Sequence, residues 1–388
     1  MAYQETTTTG YGTRVGNSFK GILTGLLMFV AGTALLWWNE GRTVHDDDAT
    51  QDAYDATQIL SDINTINPAQ NGQMVHATGI ATTSDILTDD VFGVSENAIR
   101  LNREVQYYQW VERSSSKSEN KLGGSQVTTT TYNYEMKWVD EPINSSAFKD
   151  SSYKGKNTVI KVFPEEQKMA QNVTFGAFSL PQSLIRQISG EEPVAINASP
   201  SALSSLKSNI HNANITVSGN TIYIGANPDS PAVGDVKITF TKTNPSNQVT
   251  VWAVQNGNSF SSYVHKNGNT VCDLSMGIRS LDEVKQSADD ANDFIKWILR
   301  FIGVLIIYFG LSSLFDLIVT LLKLIPFLSS VANVGTTFVS VILTLVWSLL
   351  IIALAWIFYR PILAIVLLVI TGILIFFLVK RSKEKSAK

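Results

Sequence analysis

GILTGLLMFVAGTALLWWN, the stretch from Gly21 to Asn39, decides how this chain is read. It carries no charge. About 20 apolar residues in a helix cross a ~30 Å hydrocarbon core, where only closed backbone hydrogen bonding is tolerated. The run ends on Trp37-Trp38, an aromatic pair suited to the membrane–water interface, and is too long for the apolar part of a cleaved signal peptide. It predicts an uncleaved anchor at 19–39. Further apolar runs crowd the region from Phe301 to Val379 and predict spans at 294–322, 336–359 and 361–379. The uncharged stretch from Leu324 to Tyr359 would be ~54 Å long as one helix. Pro326, Asn333 and Gly335 punctuate its start, so 324–334 is expected to be interfacial or broken. The fold class that follows is a multi-span α-helical membrane protein with four transmembrane helices. A large β-rich α+β extramembrane domain, 40–292, is inserted between spans one and two.

Charge divides the same way. Residues 45–292 contain 18 Lys and Arg against 28 Asp and Glu, whereas the remainder holds 12 against 5. Lys and Arg favour the cytoplasmic flank of a span. The basic stretch 380–388 therefore reads as a cytoplasmic tail. The polar, Thr- and Gly-rich stretch 1–18, with Arg14 nearby and Lys20 just beyond, reads as a disordered cytoplasmic tail. Four spans put both termini in the cytoplasm and the domain in the periplasm, the lumen or outside the cell. Arg360, between the last two spans, dissents. An acidic domain without a basic patch excludes nucleic acid as a partner. One cysteine, Cys272, excludes an intramolecular disulfide and a CxxC zinc site.

Within the domain, apolar residues at helical spacing predict a helix over 49–65. Strands are expected at 75–82, 99–112, 127–139, 158–163, 236–241 and 249–254, with a Ser/Gly-rich hairpin loop at 114–125. Ile215–Val217 and Thr221–Ile224 flank a hairpin turn. Short helices are expected at 180–188 and 200–210. A weak echo between strand sets before and after the middle suggests two related β modules.

No chemistry-bearing motif emerges. His45, His76, His211 and His265 lack metal-ligand spacing and read as surface residues; no nucleophile elbow or phosphate loop is present. No catalytic, cofactor or metal residue is assigned. Asn144, Asn172, Asn197 and Asn214 head sequons, at a frequency expected by chance in an Asn-, Ser- and Thr-rich domain. Three membrane features stand out. Gly21, Gly25 and Gly32 lie near one helical face and provide a surface for close helix packing, within the chain or between chains. Trp37, Trp38, Asn39, Glu40 and Arg42 form an interfacial collar, in which Arg42 is expected to pair with an acidic group near the membrane surface, in the domain or before span two, where Asp289, Asp290 and Asp293 cluster. Asp316 is an ionisable residue inside a span, a site by default, with Arg300, Lys323 or Asn333 as candidate partners.

The collar Trp37-Trp-Asn-Glu-Gly-Arg42 resembles the start of the transmembrane protein 43 (LUMA) family. The resemblance continues in Val75-His-Ala-Thr-Gly79, Asp89-Asp-Val-Phe-Gly93, Val105-Gln-Tyr-Tyr-Gln-Trp-Val-Glu112, Phe175-Gly-Ala-Phe-Ser-Leu180 and Gly234-Asp235-Val236 to Phe240. It implies four spans, a large non-cytoplasmic domain and no catalytic activity. Animal members are scaffolds of the endoplasmic reticulum and nuclear envelope that self-associate. The family also occurs in bacteria, so a bacterial cell membrane fits equally. The expected function is a non-enzymatic organiser that self-associates through its spans and binds membrane or envelope proteins and lipids through its domain. The alternative is a membrane-embedded enzyme or transporter using Asp316 and the groove where domain meets membrane.

Overall fold

The computed structural model describes residues 3–196, 204, 207, 214–322 and 326–361. The chain divides into two units. One, mostly β, comprises residues up to Thr6, Asp52–Lys117 and Thr129–Lys285; the other, mostly helical, comprises Thr7–Gln51, Ser118–Thr128 and the chain from Gln286.

Two sheets organise the β-rich unit. The larger orders its main strands as Tyr3–Thr9, Gln126–Val139, Arg100–Asn120, Val236–Thr243, Thr221–Ile224 and Ile215–Ser218. Alternation sets the register: Val105 and Tyr107 pair with Ile238 and Val236, and all four are buried. In the second sheet Met74–Thr82 runs antiparallel to Ser246–Asn256, which also pairs with Asp273–Met276. Each sheet has its own core. Phe92, Phe163 and Phe240 centre the first; Phe175, Phe178 and Phe260 belong to the second. The two halves of the domain sequence are not separate modules, because each sheet pairs a strand from the first half with one from the second.

Motifs that carry the family resemblance turn out to be turn devices in this unit. Phe175 pairs with Phe178 across the tight turn Gly176-Ala177, where Gly176 has φ +60°. Asp89 Oδ1 accepts from Val91 N at 3.0 Å and Phe92 N at 2.8 Å, while Oδ2 pairs with the buried Arg103 guanidinium. Asp235 accepts from the Tyr223 hydroxyl and from Ala232 N at 2.8 Å. Burial and that bond push the Tyr223 hydroxyl well above its ordinary pKa.

Burial likewise raises the Asp273 carboxyl, against the opposing bond from Ser275 Oγ at 3.0 Å. The folded state then holds this proton more tightly than the unfolded chain. The site's stabilising contribution is full below the unfolded carboxylate pKa of ~3.9 and is lost as pH rises through the raised folded value. Asp273→Asn is expected to raise the thermal unfolding temperature near neutral pH. Its advantage over the parent should shrink as the buffer is acidified; a constant advantage would assign the effect to something other than ionisation.

Several sequence expectations are corrected. The described residues hold three helices long and apolar enough to cross a membrane, not four. They lie in α1 (Tyr11–Asp55, 45 residues), α3 (Leu281–Leu321, 41 residues) and α4 (Pro326–Tyr359, 34 residues); α2 is the one-turn helix Gln182–Ile185. The stretches expected as span four, 361–379, and as the basic tail, 380–388, lie outside the described residues except for Pro361. So do His211, Asn197 and most of 200–210. The expected break at 324–334 is helix from Pro326, the proline occupying the first helical position where its missing N–H is tolerated. Residues 3–18 are not a disordered tail: Tyr3–Thr9 is a strand, and α1 begins at Tyr11. No separate helix starts at 49, since α1 runs on to Asp55. The expected loop at 114–125 is mostly ladder, its strands reaching Asn120 and resuming at Gln126. No strand forms at 158–163; the pairing strand is Glu166–Met169. His76 and His265 are buried rather than on the surface. His76 Nε2 lies 2.9 Å from Arg279 O, and His265 Nε2 lies 2.9 Å from Asp52 Oδ2.

Candidate functional site

The polar groups with most to explain lie in the helical unit. There α1 and α3 run antiparallel, and small residues let their backbones meet. A Cβ added to Gly25 would stand 2.7 Å from Gly310 O, and one added to Gly32 would stand 2.7 Å from Ile307 Cγ1 and 3.0 Å from Gly303 O. The contact is reciprocal at Gly310, where an added Cβ would meet Gly25 O at 2.8 Å. Gly21 does not take part, having nothing within 4 Å of its would-be Cβ. Of the three glycines read as a packing face, Gly25 and Gly32 therefore serve one helix pair within the chain.

At one end of this seam Glu40, 3 % exposed, is held by three donors. Arg300 Nε and a terminal guanidinium nitrogen each reach it at 2.7 Å, and Trp356 Nε1 donates at 2.8 Å. A bidentate Arg–carboxylate pair is the geometry that best offsets the cost of taking two charges out of water. Beside it Asn39 Nδ2 donates to Lys296 O at 3.1 Å, while its buried Oδ1 has no partner. Arg42 pairs with an acid just beyond the span, Asp46 one turn along α1, rather than with the Asp289, Asp290 and Asp293 cluster, and donates to Asn292 Oδ1 at 2.9 Å. Asn292 also donates to Asp47 Oδ1 at 2.7 Å, and Arg360 reaches Asp47 Oδ2 at 2.5 Å. Arg360 thus finds its counter-charge in α1. Trp37 packs on Phe358 and Tyr359, whereas Trp38 is 55 % exposed.

At the other end lies Asp316. Its Oδ2 accepts from Ser18 Oγ at 2.8 Å, with Thr320 Oγ1 at 3.4 Å. Of the three partners offered by the sequence, Arg300 is engaged with Glu40 instead, while Lys323 and the side chain of Asn333 lie outside what is described. Asp316 lines a cleft of ≈ 370 Å³ with Asn17, Gly21, Ser312, Thr337 and Ser340 among its other walls. The Oγ atoms of Ser312 and Ser340 have no hydrogen-bond partner, and neither do the buried Thr344 Oγ1 and Ser348 Oγ along the same face of α4. Arg14, whose charge interacts with the Asp316 carboxylate, is tied to Gly124 O at 2.8 Å and Asn120 Oδ1 at 2.9 Å.

Sequence reading missed Arg300, Trp356 and Asn292 as collar members, and the Ser and Thr residues around Asp316. Only Arg300 left a signal, as a charge just inside an apolar run. A hydroxyl in a span is too common to mark which face it occupies. Among the described residues no group of three or more His, Cys, Asp or Glu side chains is placed to hold a metal ion.

A long helical anchor with a buried charge pair, carrying a large two-sheet domain between its first two spans, defines an integral membrane protein. The sequence profile of transmembrane protein 43 matches residues 107–361. The chain is 29 % identical to transmembrane protein 43 of Mus musculus, covering 91 % of this chain and 88 % of the relative. It is 28 % identical to the Homo sapiens protein, covering 98 % and 94 %, and 27 % identical to the Drosophila melanogaster homologue, covering 89 % and 90 %. The chain belongs to the transmembrane protein 43 family. No solved structure matches it.

Proposed function

We propose that the chain is a non-enzymatic membrane organiser, a pre-assembled helical anchor whose β-rich domain binds membrane proteins or lipids. What supports this reading is the closure of the helical unit. Gly25 and Gly310 bring two backbones into contact, and Glu40 is locked by three donors. Transport by alternating access needs two packings close in free energy. A glycine seam and a buried bidentate pair favour one packing strongly. Because Gly25 and Gly32 are used inside the chain, self-association falls to outward faces such as Val334, Phe338, Val341, Leu345 and Leu349 of α4, all exposed and at helical spacing.

A non-cytoplasmic domain is the orientation that Arg14 and Lys20 before the first span and Lys323 after the second support. With cysteines introduced at the exposed Ser116 and at Ser386, an impermeant thiol reagent should not reach position 386 in intact cells; labelling at 386 with protection at 116 would reverse the orientation. A second reading, transport or catalysis through Asp316, draws on the cleft that this carboxylate lines. Crosslinking and mass analysis of the chain purified in mild detergent test the first reading. Self-association and copurifying membrane proteins that survive Asp316→Asn are expected. A monomer with no partner, together with a flux or turnover lost in Asp316→Asn, would replace the organiser by the second reading.

A further inference from the structure

We infer that copies of this chain enclose a water-filled passage through the membrane, lined by the polar ribbon of Arg100–Asn120 and Gln126–Val139 and open to small inorganic ions. The inference rests on the self-association in the organiser reading and adds what the assembly surrounds.

The tip of that ribbon, Ser118–Thr128, belongs to the helical unit. It sits at the start of α1. The buried Arg14 guanidinium donates to Gly124 O and Asn120 Oδ1, and a Cβ added to Gly124 would stand 2.4 Å from the Tyr11 ring. Tyr11 in turn donates its hydroxyl to the carbonyl of Leu321, the last residue of α3, at 3.2 Å. This is the end of the bundle away from Glu40. Arg14 precedes Glu40 by 26 residues, ~39 Å of helix, with the uncharged Gly21–Asn39 between them. A ~30 Å hydrocarbon core fits between the two levels. Yet the chain leaves α1 after Asp55, on the Glu40 side, and enters α3 at Leu281 on that same side. To reach Arg14 it passes the membrane once before Asn120, and it passes back after Gln126.

The strands have the length for that crossing. Arg100–Asn120 has 21 residues, where about 5–6 is usual and about 9–11 tilted residues span a hydrocarbon core. They do not have the composition for lipid. Residues 113–120 read RSSSKSEN and bond across to Thr128 and Thr130. Beyond Trp110 no strand among the described residues pairs the second edge of Arg100–Asn120. Such backbone is tolerated at membrane depth only inside protein or against water. Residues 113–119 are exposed in the single chain, so lipid has to be kept from them by other copies, and the polar surfaces enclosed between copies hold water. Charges on the ribbon come in opposite pairs, Arg113 with Glu135 at 2.8 Å and Lys121 with Glu119 at 3.2 Å, so the passage favours neither sign of ion strongly.

Sidedness and flux test this in the full chain, with Cys272→Ala as the background for introduced cysteines. Ser146→Cys and Leu122→Cys, both at exposed positions, are treated in intact cells with a maleimide on a polyethylene glycol too large for the passage. One should react at once and the other only after permeabilisation, whichever side the domain occupies. Both reacting before permeabilisation, or both only after it, overturns the crossing. In liposomes the purified chain should release potassium and chloride at comparable rates. In Ser116→Cys a small charged methanethiosulfonate should remove most of that flux, and the same reagent should leave the cysteine-free chain unaffected. A crosslinked oligomer that releases neither ion, or a flux untouched by modification at position 116, overturns the passage and leaves the organiser reading standing. A chain that crosslinks only as a single copy overturns the passage and the self-association together.

Discussion

Glu40→Ala is expected to destabilise the helical unit by about 3–5 kcal/mol, because it leaves the Arg300 guanidinium buried without its counter-charge. Arg300 and Glu40 are 11 % and 4 % exposed at their side chains, so water does little to screen either. The loss extends beyond the ion pair. Trp356 Nε1 gives up its acceptor, and a buried donor left unpaired costs about 1–3 kcal/mol. Replacing both charges by methionine should recover much of the loss, since a buried pair exchanged for apolar side chains is often close to neutral. Unfolding of the purified chain in mixed micelles, followed by tryptophan fluorescence, measures both. A single substitution as mild as the double one would mean that water reaches Arg300. Arg42→Ala should act in the same direction but more weakly, because Arg42 and Asp46 are 17 % and 34 % exposed.

The collar also shows where sequence reading stops. Trp37-Trp38 and the charges after them mark a membrane boundary, because those residue types gather where the dielectric changes. Which charges meet depends on how three helices are rotated and offset, and no local pattern records that. Arg300 is closer in sequence to Asp316 than to Glu40, so proximity pointed to the wrong acid. The domain behaved similarly. Alternation found Met74–Thr82 and Ser246–Asn256 to within a few residues, since each buries one face. It found 127–139 as well but stopped the preceding strand at 112, missing 113–120, an almost wholly exposed run whose Ser116 and Ser118 bond across to Thr130 and Thr128 instead of burying a face. Thr158 to Phe163 alternates like a strand but has no ladder, because Tyr107 and Gln109 side chains take backbone carbonyls there that a neighbouring strand would have used.

Gly25→Leu is expected to disrupt the packing of α1 on α3, whereas Gly21→Leu, one turn earlier on the same helix, should leave it intact. A Cβ at position 25 stands 2.7 Å from Gly310 O and 2.9 Å from Ser313 Cβ, and the first of these atoms is backbone that cannot rotate aside. Relief requires the helices to separate, which breaks the close contact that substitutes in lipid for a hydrophobic driving force. Overpacking a core costs about 1–3 kcal/mol where side chains can yield. Here the backbone must move, and the separation carries the Glu40–Arg300 pair with it, since the two contacts share one helix interface. The Gly32→Leu effect should match, its Cβ meeting Ile307 and Gly303 O, and the double variant should add little once the helices have parted. The readout is a disulfide trap between cysteines introduced at Phe29 and Leu311, which pack in one apolar cluster. The parent and Gly21→Leu should crosslink within the chain, and Gly25→Leu should not, while all three insert into the membrane equally. Crosslinking that persists in Gly25→Leu within single chains would show that α1 and α3 are held together by something other than the glycine seam. Crosslinking found only between chains in the parent would move that seam from the fold of one molecule to the interface of two.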